Sequence, residues 1–172
     1  MKSTTFALFL GTAYLSVGLL GLNPAMLAPP PADAPPLHFA VLYGYLLGLF
    51  PVNVLHSAMH LAIGLWGVVA WHGMVSSKIY ARALAIFYGV LAVAGVVPGL
   101  NMLFGMLPIH GHDVWLHGGT AALAAYFGWN PEVSVEHRHG PATSDRREQS
   151  LPVKADRRRG HPDRRLPNRG EI

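Results

Sequence analysis

The feature that most constrains this chain is the scarcity of charged side chains across its first 129 residues. Over that length the Asp, Glu, Lys and Arg residues are only Lys2, Asp33, Lys78, Arg82 and Asp113. A soluble domain normally carries about 25% charged residues, so a water-exposed fold does not account for this stretch. An apolar bilayer does, and we therefore predict an integral membrane protein.

Four apolar segments approach the length of a membrane-spanning helix, which needs about 20 residues to cross roughly 30 Å of hydrocarbon. They are residues 5–22, 54–71, 79–98 and 114–129. We predict an all-α fold in which residues 1–129 form an integral membrane four-helix bundle.

The first segment has a second interpretation, as a secretory signal peptide. Lys2 supplies the positive charge that precedes the apolar part of a signal peptide, and Ala32-Asp33-Ala34 resembles a small-residue cleavage site. The row of glycines along the segment suits helix packing, however, and favours a helix that is retained.

The connector before the second helix divides into two parts. Residues 23–36 are rich in proline, which resists regular hydrogen-bonded structure. Residues 37–71 carry no Asp, Glu, Lys or Arg but are too long for one span, and Pro51 and Asn53 divide them. We predict that residues 39–50 form an interfacial or re-entrant segment packed against the bundle.

Basic residues mark one side of the predicted bundle. Every Lys and Arg lies at the N-terminus, near the turn between the second and third helices, or in the C-terminal tail. The two other connectors, residues 23–53 and 99–113, have none. Because Lys and Arg concentrate in cytoplasmic loops, four spans place both termini in the cytoplasm and both basic-free connectors outside.

The C-terminal tail, residues 130–172, has a different composition. It holds ten Lys or Arg, seven Asp or Glu and five prolines. Such a segment cannot bury enough apolar surface to fold alone, so we predict a basic, disordered cytoplasmic tail. Its role is either topological and electrostatic, or the binding of anionic lipid head groups or an acidic partner. Because the net charge of +4 resides mainly in this tail, no nucleic-acid partner is expected.

The chain also contains an internal repeat. Residues 48–53 align with residues 105–110 at a spacing of 57, and the same alignment places His60 over His117. Upstream, at a spacing of 74, Tyr14 falls on Tyr88. The repeat predicts two duplicated helical hairpins related by a pseudo-twofold axis along the membrane normal.

Polar side chains concentrate where the second and fourth helices begin. Asn53, His56 and His60 open the second helix, and Asp113 and His117 open the fourth. Both helices run inward from the outer face, so these five residues share one leaflet. Small residues follow on each helix, which predicts that the second and fourth helices pack against each other.

Three interpretations of this polar cluster remain open. In the first, its five residues form a structural hydrogen-bond network that locks the helices. In the second, it binds a transition metal such as Zn, Fe, Cu or Ni, and the ligands are His56, His60, His117 and Asp113. In the third, His60 and His117 are axial ligands of a haem held between helices. The remaining histidines of this face, His38, His110 and His112, are interpreted as solvated loop residues.

Two segments resemble the signatures of a bacterial membrane family catalogued as domain of unknown function 4383. Residues 47–53, followed by Leu55-His56 and His60-Leu61, are similar to the first signature, and residues 105–108 and 113–117 to the second. The resemblance covers residues 5–129. It implies four membrane helices, a retained first helix and a location in the bacterial plasma membrane. It implies no activity, substrate or catalytic residue.

The function predicted from these patterns is that of a small, non-enzymatic membrane protein, a structural or accessory subunit of a larger membrane complex or a homo-oligomer. Transition-metal or haem binding by the outer cluster is one alternative, and ion or proton transport is another. The chain has no cysteine, which excludes disulfides, thiolate metal sites and cysteine nucleophiles.

Overall fold

The computed structural model describes residues 1–131, and most of them are helical. Its four α-helices are α1 (Ser3–Gly21), α2 (Val54–Trp71), α3 (Ser77–Val96) and α4 (His112–Trp129). The predicted all-α, four-helix fold is therefore confirmed. The predicted start of α2 coincides with the observed one, and the other three helices begin two residues earlier than predicted. From residue 132 onward, the predicted disordered tail lies outside the described residues.

The start of each middle helix has a local cause. Asn53 caps α2 by accepting a hydrogen bond from the backbone N–H of His56, and Ser76 caps α3 in the same way for Ile79. Asn and Ser favour these positions because their side-chain oxygens satisfy N–H groups that have no partner within the helix.

Three of the helices, α1, α2 and α3, are long and apolar enough to cross a membrane. Their outward faces carry exposed apolar side chains such as Phe9, Leu65 and Ile86, as expected of surfaces that contact lipid. Helix α4 is less apolar because its first two turns contain His112, Asp113 and His117.

The helices pack as two hairpins, α1 with α2 and α3 with α4. Glycines permit the close approach in the first hairpin. A Cβ atom on Gly64 would lie 2.6 Å from the backbone nitrogen of Leu15, and one on Gly67 would lie 2.7 Å from the Cα of Gly11. Such contacts are too short, so only glycine fits at these two positions.

The small residues of α4 face α3 rather than α2. A Cβ atom on Gly128 would lie 2.9 Å from the Cγ of Arg82, and one on Gly89 would lie 4.0 Å from the Cβ of Ala121. The prediction that the small-residue stripes of α2 and α4 pack against each other is therefore wrong. Each stripe packs against the other helix of its own hairpin.

A small sheet, which the all-α prediction did not include, precedes α2 in the chain. Its three antiparallel strands are β1 (Leu27–Ala28), β2 (Gly44–Leu46) and β3 (Phe50–Val52), in that order. A tight turn joins β2 to β3, with positive φ angles of 55° at Leu47 and 73° at Gly48. Residues 39–50, predicted as an interfacial or re-entrant segment, contribute to this sheet and its turns.

Two serines join the hairpins at the opposite end of the bundle. The hydroxyl of Ser3 in α1 donates to the carbonyl of Phe127 in α4 at 3.3 Å. The hydroxyl of Ser77 in α3 donates to the carbonyl of Ala70 in α2 at 2.9 Å. Each bond links a helix to one in the other hairpin.

Candidate functional site

Asn53 forms hydrogen bonds to the loops next to the candidate site. Its side chain is fully buried, and its oxygen accepts the capping hydrogen bond from the His56 backbone at 2.9 Å. Its nitrogen donates to the carbonyls of Phe39 at 2.9 Å and Met106 at 2.7 Å. One side chain therefore ties the start of α2 to the connector before α2 and to the connector before α4.

The histidine cluster comprises His56, His60, His117 and Asp113, which lie in the first turns of α2 and α4. The ring centroids of His56 and His60 are 4.6 Å apart, and those of His56 and His117 are 6.1 Å apart. The Nδ1 atom of His56 lies 3.8 Å from an Oδ2 atom of Asp113. All four residues are buried, with between 3% and 8% of their surface exposed. The structure thus assembles the four residues selected from the sequence.

Four polar atoms of the cluster lack hydrogen-bond partners among the described residues. They are Nδ1 of His56, His60 and His117, and Oδ2 of Asp113. The separation of 3.8 Å between His56 and Asp113 is too long for a hydrogen bond. Each buried polar group without a partner costs about 1–3 kcal/mol. The cluster is therefore held in place by its surroundings rather than by bonds among its own side chains.

Two tyrosines extend the cluster toward the middle of the bundle, and sequence reasoning did not include them. The ring of Tyr14 lies 5.1 Å from that of His60, and the ring of Tyr88 lies 5.1 Å from that of His117. The two tyrosine rings stack on each other at 5.3 Å. The repeat spacing of 74 had paired Tyr14 with Tyr88 and could have identified both.

The two tyrosine hydroxyls have different environments. The Tyr14 hydroxyl is hydrogen-bonded to Thr120 Oγ1 at 3.1 Å. The Tyr88 hydroxyl is buried and interacts with that of Tyr14. At a spacing of 57, Ile63 occupies the position that corresponds to Thr120, and an isoleucine side chain cannot form a hydrogen bond.

A cavity of about 170 Å³ adjoins the cluster, between α2 and α3. Its polar residues are His56, His60, His117 and Tyr88. Its apolar walls are Met59, Ile63, Phe87, Leu91, Leu103, Leu107 and Ile109. The loop between α3 and α4 supplies the last three of these residues.

The cluster geometry bears on the two cofactor hypotheses. In residues 1–131, no three His, Asp or Glu side chains are arranged so that they could hold a metal ion. The cavity is also smaller than the roughly 300–1,000 Å³ of typical cofactor and ligand pockets, which leaves little room for a haem. Metal binding would require the histidine rings to rotate toward a common point.

The loop histidines lie outside the cluster. His38 and His112 are exposed, and His38 Nδ1 lies 3.3 Å from the carbonyl of Phe104. His110 differs from the solvated residue that was expected, because it is half-buried and its Nε2 atom has no partner in the described part of the chain. This burial lowers the pKa of His110 below its ordinary value of 6.5.

Arg82 lies near the opposite end of the bundle from the cluster. Its Nε atom donates to the carbonyl of Gly128 at 2.8 Å. Its guanidinium carbon lies 5.6 Å from the ring centroid of Trp129, in the range of a cation–π contact. The Arg82 side chain is thus anchored to the end of α4.

Comparisons with known proteins identify a family but no characterised relative. No curated protein and no solved structure matches the chain. The family model of the domain of unknown function DUF4383 matches residues 4–130. This range includes all of the four helices except Ser3, together with Asn53 and the histidine cluster. The chain belongs to the DUF4383 family.

Proposed function

We propose that this chain is a non-enzymatic, multi-pass protein of a bacterial plasma membrane that serves as a structural or accessory subunit. In this proposal all four helices cross the bilayer, both termini lie in the cytoplasm, and the histidine cluster lies toward the outer face. Family membership and three helices with the length and apolar character of membrane spans support it.

The distribution of basic residues supports the orientation. Lys2 precedes α1, while Lys78 and Arg82 lie in the first turns of α3, at the same end of the bundle. The loops at the other end contain no Lys or Arg. Basic residues near membrane helices concentrate on the cytoplasmic side.

Equivalent contacts support the proposal that the bundle consists of two duplicated hairpins. Ser3 and Ser77 are 74 residues apart, and the carbonyls they bond, Ala70 and Phe127, are 57 residues apart. These are the two repeat spacings. The ring separations of Tyr14 to His60 and Tyr88 to His117 are both 5.1 Å. A pseudo-twofold axis between the hairpins accounts for both pairs.

One observation carries the structural role: polar side chains join separate parts of the bundle. Asn53 joins the two outer connectors. Ser3, Ser77 and the Tyr14–Thr120 pair join one hairpin to the other. These bonds make a firm scaffold whose outward faces remain apolar, and such a scaffold suits a subunit that packs beside other membrane proteins.

Site-specific photocrosslinking in living cells tests the accessory role. A photoreactive residue is placed at exposed positions on three different helices, Phe9, Leu65 and Ile86. An accessory subunit gives a discrete protein adduct from at least one face. Leu84, which is 1% exposed, is the matched control and gives none. A chain that gives no adduct from any face, and that purifies as a monomer, would remove the support for this role.

Ion or proton transport and metal binding remain predictions from the sequence. Reconstitution into proteoliposomes with a pH-sensitive dye tests the first, and elemental analysis of the purified protein tests the second. The scaffold proposal expects no flux and no stoichiometric metal.

A further inference from the structure

The cavity between α2 and α3 is open on the side of the bundle. Among the residues that line it, Met59 in α2 and Phe87 in α3 are the most exposed, at 41% and 38%. Met59 lies five residues into α2, about 8 Å along the helix from its start, and Phe87 lies near the middle of α3. Both helices are long and apolar enough to span a membrane. In a membrane-embedded bundle, this opening therefore faces hydrocarbon rather than water.

The cavity lies where the two halves of the repeat differ. Between α1 and α4, Tyr14 is hydrogen-bonded to Thr120 at 3.1 Å. At the repeat spacings of 74 and 57, the equivalent residues of α3 and α2 are Tyr88 and Ile63, and both line the cavity. Because an isoleucine side chain cannot form a hydrogen bond, this pair cannot reproduce the bond that joins α1 to α4.

The surface of the cavity is almost wholly apolar. His56, His60 and His117 contribute to its lining, but their Nδ1 atoms are buried and present no polar surface to it. An ordered water needs roughly two to four polar partners, and the cavity does not supply them. The lining therefore selects an apolar occupant.

The volume of the cavity indicates how much of such an occupant fits. It measures about 170 Å³, and an engineered apolar cavity of roughly 150 Å³ binds benzene, so there is room for about six carbon atoms. An empty space of this size would leave its walls without dispersion contacts. The acyl chains of the bilayer lie at the opening, and a short segment of one chain can fill the space while the rest of the lipid stays in the membrane.

From the apolar lining, the volume and the lateral opening, we propose that the cavity binds a segment of one phospholipid acyl chain. The chain enters between Met59 and Phe87 and packs against Ile63, Leu91 and Ile109. The bound segment then forms part of the interface between the two hairpins. This proposal rests on the membrane embedding proposed above and is independent of the accessory role.

A photoreactive lipid tests the proposal on the full chain. The chain is reconstituted in nanodiscs of phosphatidylethanolamine and phosphatidylglycerol, with a small fraction of phosphatidylethanolamine that carries a diazirine midway along one acyl chain. After irradiation, tandem mass spectrometry locates the adducts. We expect adducts on the cavity walls at Ile63 and Ile109, which are only 7% and 1% exposed, as well as on outward residues such as Leu65, which is 59% exposed.

Three variants separate the cavity from the lipid that surrounds the bundle. Leu91→Trp fills the cavity and should lose the adducts at Ile63 and Ile109 while the adduct at Leu65 remains. Leu123→Trp is the matched control, since Leu123 is 57% exposed on α4 and does not line the cavity; it should keep all three adducts. If Leu91→Trp fails to fold, Met59→Trp, at the exposed opening, blocks entry and should give the same loss.

Two results would overturn the acyl-chain site and leave the membrane embedding intact. One is labelling of Leu65 without labelling of Ile63 or Ile109 in the natural chain, as expected if a second protein or a small apolar molecule filled the cavity. The other is labelling of Ile109 that persists in both Leu91→Trp and Met59→Trp. Absence of adducts at all three residues would contradict the embedding itself, and the lipid site with it.

Discussion

Replacing Asn53 with alanine tests what holds together the loops at the end of the bundle where α2 begins. Asn53 makes three hydrogen bonds from one fully buried side chain: it accepts one from the His56 backbone and donates two, to the carbonyls of Phe39 and Met106. Alanine removes all three and leaves the loops without a common anchor.

The expected loss of stability follows from these bonds. Loss of an N-cap costs about 1 kcal/mol. Each of the two carbonyls that loses its donor adds about 1 kcal/mol, the lower part of the range for buried groups, because Met106 itself is exposed. The free energy of unfolding of Asn53→Ala should therefore fall by about 3 kcal/mol. Asn53→Asp keeps the capping oxygen but replaces the donating nitrogen with an oxygen that faces both carbonyls in a buried position, so its loss of stability should be at least as large as that of Asn53→Ala.

Denaturant unfolding in mixed micelles, followed by tryptophan fluorescence, measures these differences. Asn23→Ala is the matched control, because Asn23 also caps a helical turn but its hydrogen bond to Ala25 at 3.1 Å is exposed; its loss should stay below about 1 kcal/mol. If Asn53→Ala unfolds within about 0.5 kcal/mol of the natural chain, the anchoring role of Asn53 is wrong.

Three further outcomes follow from the packing and the electrostatics. Gly67→Ala should destabilise the bundle by about 1–3 kcal/mol, because its Cβ would lie 2.8 Å from the carbonyl oxygen of Ala7; Gly119→Ala, with nothing within 4 Å, should be neutral or slightly stabilising in the same unfolding assay. Ser77→Ala should cost about 1 kcal/mol, measured in the same way, because it leaves the Ala70 carbonyl without its donor at 2.9 Å. Burial lowers the pKa of His110 from 6.5 in the folded protein, so the unfolded chain binds the proton first as the pH falls. The stability that is present above pH 6.5 is therefore lost as the pH approaches the folded-state pKa. His110→Gln should lose less stability between pH 7.5 and pH 5 than the natural chain, and an equal loss would contradict this assignment.

Helix positions were predictable because long apolar runs leave few alternatives in a membrane protein. The start of α2 was placed correctly since Pro51 and Asn53 mark it chemically, one as a residue that resists helix and the other as a cap. The small sheet was not predictable. Its strands have only two or three residues, one contains Pro51, and the pairing of β1 with β2 joins residues as distant in sequence as Leu27 and Leu46.

The candidate site was predictable in membership but not in its contacts. Helix direction alone placed His56, His60, Asp113 and His117 in one leaflet, and the structure brings them together. Small residues on α2 and α4 indicate that each helix packs closely against another, but they do not specify which one. In the structure, the partner of each is its neighbour in the chain, α1 for α2 and α3 for α4. Whether a buried side chain finds a hydrogen-bond partner depends on distances of a few tenths of an ångström, which no sequence pattern encodes.

The most direct test of the proposed arrangement is the membrane topology of single cysteines, since the natural chain has none. Cysteine replaces one exposed residue at each end of the bundle on each hairpin: Asp33, Met74, His112 and Pro131. A membrane-impermeant maleimide is applied to spheroplasts, before and after permeabilisation. Four spans with an outer histidine cluster predict that Asp33→Cys and His112→Cys react in intact spheroplasts, and that Met74→Cys and Pro131→Cys react only after permeabilisation. Labelling of Pro131→Cys in intact spheroplasts would mean that α4 does not cross the membrane, and would contradict the proposed bundle.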